Sequence, residues 1–269
     1  MHMLILVTVF LFGIGLIVGS FLNVVILRLH NGKSFVVGRS SCPSCRHQLS
    51  PIELIPLVSW LALRGRCRHC RKPISYQYPL VEVATGLLFA LTYLTHQPAG
   101  WWDAVILLLW LYVISSLVVL TAYDLRWYLL PDKVLLPLIV PALLIAVIHA
   151  TAAGSWQVIV GPMAAAIIFG GGFYALAAVS RGKWMGGGDI KLAFVMGLLL
   201  GLKETLLAMF VAFNVAAVIA VFLLITKRKK RADRMPFGPF LILGTLVAFF
   251  WGQHILEWYT QTTGLYLLG

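Results

Sequence analysis

Residues 184–204 read WMGGGDIKLAFVMGLLLGLKE, and the fold turns on whether their apolar part crosses a membrane. That part, 190–201, is short against the roughly 20 residues of a bilayer-spanning helix. The rest of the chain sets the context. Of 269 residues 61% are hydrophobic and 11% charged, with mean hydropathy +0.93, whereas ordinary soluble domains carry about 25% charged residues. Apolar stretches recur at 3–27, 79–96, 102–122, 134–150, 157–179, 190–201, 204–226 and 237–256. The composition predicts an all-α polytopic membrane protein of about eight transmembrane helices.

Charge decides the short segment. Lys and Arg accumulate on the cytosolic ends of membrane segments. Nine of the 21 basic residues lie between Arg28 and Lys72, two at Arg126 and Lys133, three at Arg181, Lys183 and Lys191, and six between Lys227 and Arg234. Placing all four groups in the cytosol requires an even number of crossings between Lys191 and Lys227. Segments 190–201 and 204–226 then pair as a hairpin, with GLKE at 201–204 as its turn. Asp103, Glu204 and Glu257 fall on the far side, with both termini extracytoplasmic. The net charge of +12 records orientation and an attraction to anionic lipid; it does not call for nucleic acid. The first segment has no basic n-region, is too long for a signal peptide and is followed by positive charge, so it is expected to stay as an anchor. No internal repeat is visible at this level.

All four cysteines lie in the polar stretch of about 30 to 76, as CPSC (Cys42, Cys45) and CRHC (Cys67, Cys70), separated by 21 residues. Paired CxxC turns aim four thiolates at one metal, and a closed four-sulfur zinc site is structural. A cytosolic loop disfavours the alternative of two disulfides. The expected division is a first transmembrane helix at 1–27, a cytosolic zinc-binding loop at 28–78 and a seven-helix membrane core at 79–269.

The chain has only nine acids, and a carboxylate at membrane depth is a functional candidate by default. Asp124 ends an apolar run in TAYDLRWYLLPD; it is either an interfacial acid paired with Arg126 or a functional one. Asp132, after Pro131, opens a helix where an acid suits the dipole. Asp189 follows three glycines, more than a helix cap requires. Glu82 lies early in its segment, in YPLVEVAT. Two carboxylates sharing a proton can hydrolyse a peptide, one as base on water and the other polarising the carbonyl. On that reading the loop of Gly186, Gly187, Gly188 and Lys191 offers bare backbone to an extended peptide. A phosphate loop is excluded, since Asp189 and Ile190 stand where Lys-Ser/Thr is required.

These motifs resemble the bacterial type IV prepilin peptidases, which share the GxGD pattern of intramembrane aspartyl proteases. The likeness runs through GSFLNVVILRL (19–29), GRSSCPSC (38–45), IPLVSWLALRGRCRHC (55–70), YPLVE (78–82), DLRWYLLPD (124–132), GGGDIKL (186–192) and MPFGPFL (235–241). Trp184 departs from the pattern, as do His30 and Gln77. The resemblance implies an inner-membrane enzyme that removes the basic leader of prepilins, or of type II secretion pseudopilins, after a glycine on the cytosolic side. It also implies N-methylation of the new amino terminus with S-adenosylmethionine. It assigns catalysis to Asp124 and Asp189, and zinc to Cys42, Cys45, Cys67 and Cys70. Residues 19–82, with Glu82, are the candidate region for methylation, since no soluble cofactor fold is present. The competing readings are a proton- or cation-coupled transporter using the same acids, which would favour a midplane site and internal repeats, and a noncatalytic scaffold displaying the knuckle.

Overall fold

The computed structural model describes residues 1–34, 37–227 and 235–264. Of the basic run Lys227–Arg234, only Lys227 lies among them. Among the described residues the regular structure is helical, apart from two isolated β-bridges. Hydrocarbon leaves a backbone no other way to satisfy its own N–H and C=O groups, short of a closed barrel.

The chain forms two compact units, Met1–Ala122 and Tyr123–Gly269. The first holds α1 (His2–His30), the short α2 (Val58–Ala62), α3 (Gln77–Thr95) and most of α4 (Trp101–Trp127). Here α1 packs along α3. A Cβ at Gly15 would stand 2.6 Å from the Gly86 Cα, and one at Gly19 would stand 2.7 Å from the Glu82 Cα. Small residues let membrane helices approach backbone to backbone, where dispersion rather than the hydrophobic effect holds them. The opposite side of α1 presents Ile5, Leu6, Val9, Phe10, Ile17 and Phe21 outward.

The second unit continues with α5 (Asp132–Leu135), α6 (Ile139–Ala152), α7 (Val160–Val179), α8 (Gly187–Leu200), α9 (Leu202–Ile225) and α10 (Gly238–Thr263). Seven described segments are long and apolar enough to cross a membrane; α5 and α6 together make one of them, and α8 is not among them. At 14 residues, α8 rises only about 21 Å at 1.5 Å per residue. It is apolar all round because it is buried: Leu192, Ala193, Val195, Met196, Leu198 and Leu199 are all enclosed. It lies chiefly against α7, and also meets α6 and α10.

The expected hairpin of 190–201 with 204–226 therefore takes a modified form. Gly201 (φ +79°) turns the chain, but α9 then packs along α10 rather than along α8. Fully buried Thr205 donates its hydroxyl to the Gly201 carbonyl and, at 3.4 Å, to that of Met196. The turn is thus sealed from within the protein.

A Cβ on Gly197 would overlap the Ala166 backbone of α7. Gly197→Ala is expected to lower stability by about 1–3 kcal/mol, the usual range for overpacking. The check is the unfolding midpoint of the purified protein in detergent; an unchanged midpoint would refute the close α7–α8 contact.

Candidate active site and metal centre

Three sequence motifs converge in the second unit. Asp124 lies in the last turn of α4, 5% exposed, and its carboxylate accepts the backbone N–H of Gly238, the first residue of α10. Asp189 lies in the first turn of α8 and accepts the backbone N–H of Gly186, the N-cap. That is one half of a capping box, in which an acid at the third helical position reaches back to the cap. The two carboxyl groups are close enough for direct electrostatic interaction. Asp189 is half-buried.

Leu130, from the same stretch as Asp124, wedges between the two helix starts. A Cβ at Gly188 would sit 2.8 Å from Leu130 Cβ, and one at Gly238 would sit 3.2 Å from Leu130 Cδ2. The three glycines before Asp189 therefore do different things. Gly186 supplies an N–H to the acid, Gly188 makes room for Leu130, and Gly187 has open space where a side chain would be. Beside them the Lys191 ammonium contacts both Asp132 oxygens at 2.7 Å. Asp132 does open α5, as expected, but without a side-chain cap; its carboxylate ties α5 to α8 instead. Trp184 is 72% exposed in the preceding turn. The Arg126 guanidinium lies 4.9 Å over the Trp127 ring.

In the first unit the four cysteines come together. Cys42 and Cys70 Sγ lie 3.9 Å apart, Cys45 and Cys67 Sγ 4.0 Å apart, and all four sulfurs fall within 4.8 Å of one another. A tetrahedral metal with bonds of about 2.3 Å to sulfur would separate its ligands by about 3.8 Å, so the cluster fits a metal ion. Two structurally equivalent knuckles build it, a local repeat not apparent from the sequence. In each, the first cysteine exchanges backbone bonds with its own turn: Cys42 N to His47 O with Arg46 N to Cys42 O, and Cys67 N to Lys72 O with Arg71 N to Cys67 O. Arg46 and Arg71, immediately after the second cysteines, both take φ of +59° to reverse the chain. His47 and His69 stack with ring centroids 3.5 Å apart.

Backbone N–H groups of Cys70 and His69 aim at Cys67 and hold its thiol down to about 7. Cys45 also receives the His47 N–H, yet desolvation and the three neighbouring thiols outweigh it and push Cys45 up to about 11. Four close sulfurs resist ionising together, and a cation among them removes the conflict.

The loop is tied to the helices by acids and bases of its own. Arg28 donates to the carbonyls of Ser34, Val37, Gly38 and Arg39. The Ser50 N–H and hydroxyl donate to Glu53 Oε2 at 2.9 and 2.8 Å and hold that carboxyl below its usual range. Glu82, 6% exposed, accepts the Leu57 N–H at 2.7 Å and the Ser20 hydroxyl. Leu57 (φ 59°, ψ −51°) is the centre of a γ-turn closed by Val58 N to Pro56 O, a rare and strained conformation for a side-chain-bearing residue. Asn23, on the same side of α1 as Ser20, is fully buried; its amide donates to Gly19 and Tyr78, and its Oδ1 has no partner.

This is a multi-pass, all-α membrane protein whose polar chemistry is gathered at helix ends and in one four-thiol loop. Residues 14–96 match the bacterial Peptidase A24 N-terminal domain, and residues 111–221 match the Type IV leader peptidase family. The chain belongs to the type IV leader peptidase family. It is 35% identical to a prepilin leader peptidase/N-methyltransferase of Aeromonas hydrophila, covering 93% of this chain and 92% of the relative. Proteins of the same description from Bacillus subtilis and Pseudomonas aeruginosa are 34% and 33% identical; each match covers 93% of this chain, and 97% and 92% of the respective relative. No solved structure matches the chain significantly.

Replacing Cys42 and Cys67 by serine breaks one sulfur in each knuckle. Metal bound to the purified protein is expected to fall from about one equivalent toward zero, as for a closed four-ligand site. Elemental analysis of wild type and variant decides it, and equal metal content in both would sink the site.

Proposed function

We propose that this protein cleaves the basic leader from type IV prepilins or type II secretion pseudopilins at the cytosolic face of the inner membrane, and then methylates the new amino terminus. The observation that supports the proteolytic part is the electrostatic interaction of Asp124 with Asp189, with Leu130 packed against the helix starts on which both are held, each by one backbone N–H. In this reading one carboxylate is ionised and takes a proton from water, while the other, protonated, donates to the scissile carbonyl oxygen. Proximity makes single ionisation the favoured state. Water attacks the carbonyl of the leader's last glycine, the bond from that carbonyl to the next residue's nitrogen breaks, and the proton passes to the departing amine. Open space at Gly187 leaves bare backbone to which an extended peptide would be aligned in this reading. The Lys191–Asp132 pair fastens the two motifs beside the acids.

In this reading residues 28–78 form a cytosolic loop closed by zinc at Cys42, Cys45, Cys67 and Cys70, and both termini lie outside the cytosol. Zinc is favoured because a closed set of four thiolates is its characteristic structural site. The seven remaining helices, 79–269, form the protease core embedded in lipid.

The methylation site is assigned to the region 19–82. The buried Glu82 carboxylate and the unpartnered Oδ1 of Asn23 are acceptors suited to a cation. S-adenosylmethionine, when bound, supplies an electrophilic methyl group on a sulfonium, and these two acceptors suit its positive charges. Glu82 also holds the strained Leu57 turn, through which it couples the loop to α3.

Leader removal from a prepilin by the reconstituted protein tests the proteolytic assignment. Asp124→Asn and Asp189→Asn are each expected to reduce kcat by 10³-fold or more, a loss of about 4 kcal/mol of transition-state stabilisation. Near wild-type cleavage by either folded variant would remove the pair from the mechanism.

A further inference from the structure

The motif MPFGPFL at 235–241 enters the mechanism above only as the source of one backbone N–H, and it packs against the acid. We infer that Gly238 is a positioning residue for Asp124: its N–H fixes the carboxylate, and its missing side chain is what permits the approach. The inference rests on the proposed use of Asp124 in cleavage.

Asp124 sits at the unfavourable end of its own helix. It lies in the last turn of α4, where the carbonyl ends of the peptide dipoles disfavour negative charge. The N–H groups of that last turn bond carbonyls within the helix, and the next one along, that of Tyr128, goes to the Asp124 main-chain carbonyl at 2.8 Å, so none is left for the Asp124 side chain. Asp189 has no such difficulty, since it lies in the first turn of α8. The two acids can be used alike only if Asp124 borrows an N-terminus from another helix.

The first turn of α10 supplies one donor for this. Pro239 has no N–H. The N–H groups of Phe240 and Leu241 both go to the Phe237 carbonyl, at 3.0 and 3.2 Å. That leaves the buried Gly238 N–H, which goes to Asp124. The proline thus narrows the turn to a single donor aimed at a single acceptor.

The residue at 238 must also be small. A Cβ there would lie 2.6 Å from Asp124 Oδ2, 3.3 Å from Asp124 Cγ and 3.2 Å from Leu130 Cδ2. Any side chain would displace the carboxylate it is meant to hold. The constraint is steric, because Gly238 takes an ordinary φ and is absent from the positive-φ residues.

The test uses the full-length protein in lipid with a prepilin substrate. Gly238→Ala is expected to lower kcat for leader removal by on the order of 10²-fold, as a misplacement of about 1 Å does. KM should change by no more than about twofold, since only the reacting geometry is disturbed. Methylation of an already cleaved pilin should continue, because its groups lie in the other unit. Thermal stability supplies a readout that survives loss of activity: Gly238→Ala should lower the melting temperature clearly more in the wild-type background than in Asp124→Ala, where the overlapped carboxylate is gone and only the looser Leu130 contact remains. Wild-type kcat in Gly238→Ala, loss of methylation in step with cleavage, or the same fall in melting temperature in both backgrounds would each overturn the inference. If Asp124→Asn itself cleaves normally, the dyad assignment has failed instead, and the double-variant melting result still judges the contact.

Discussion

A helix buried in hydrocarbon uses all of its backbone donors internally, except those of its first turn. Any acid held at membrane depth by backbone must therefore find a helix start. The second unit follows this constraint closely. Asp189 uses the start of its own helix α8, and Asp124 uses that of α10. The glycines of GGGD and FGPF are the consequence, since close approach of a helix start to another element leaves no room for Cβ at Gly188 or Gly238. In the first unit the same demand for partners appears at Glu82, which is satisfied by the N–H of a strained turn and by the Ser20 hydroxyl.

Most of the helical architecture was legible because hydropathy is a local property. Each apolar stretch became a helix, usually with a few polar residues added at its ends, as when 102–122 extends through Asp124 to Trp127. Residues 190–201 show where that reading weakens. Sequence alone treats every apolar segment as meeting lipid and so requires a spanning length. Enclosed by α7, α6 and α10, α8 has no such requirement.

The site was less evenly legible. The four cysteines announce themselves by spacing, and the two acids by their cost in an apolar chain. The equivalence of the two knuckles was hidden because their sequences, SCPSCRHQ and RCRHCRKP, share little beyond CxxCR; what they share is a backbone path with an arginine at positive φ. Leu130 and Leu57 lie inside motifs that stand out, but neither signals its own role. A leucine in an apolar sequence is expected anywhere, and only the fold reveals that one of them separates two helix starts and the other forms a γ-turn. Asp132 opens a helix, as its place after Pro131 suggests, but its pairing with Lys191, 59 residues away, has no local signature.

Leu130 has a consequence for how the site can drift over time. Its hydrocarbon side chain stands between the first turns of α8 and α10, so its bulk gauges the gap between the two helix starts against which the acids are held. The separation of a polar pair is thus set by an apolar spacer that touches no substrate. Trimming or lengthening that spacer by a methylene would retune the acids without altering either one, a route to variation that comparison of the charged residues alone would overlook.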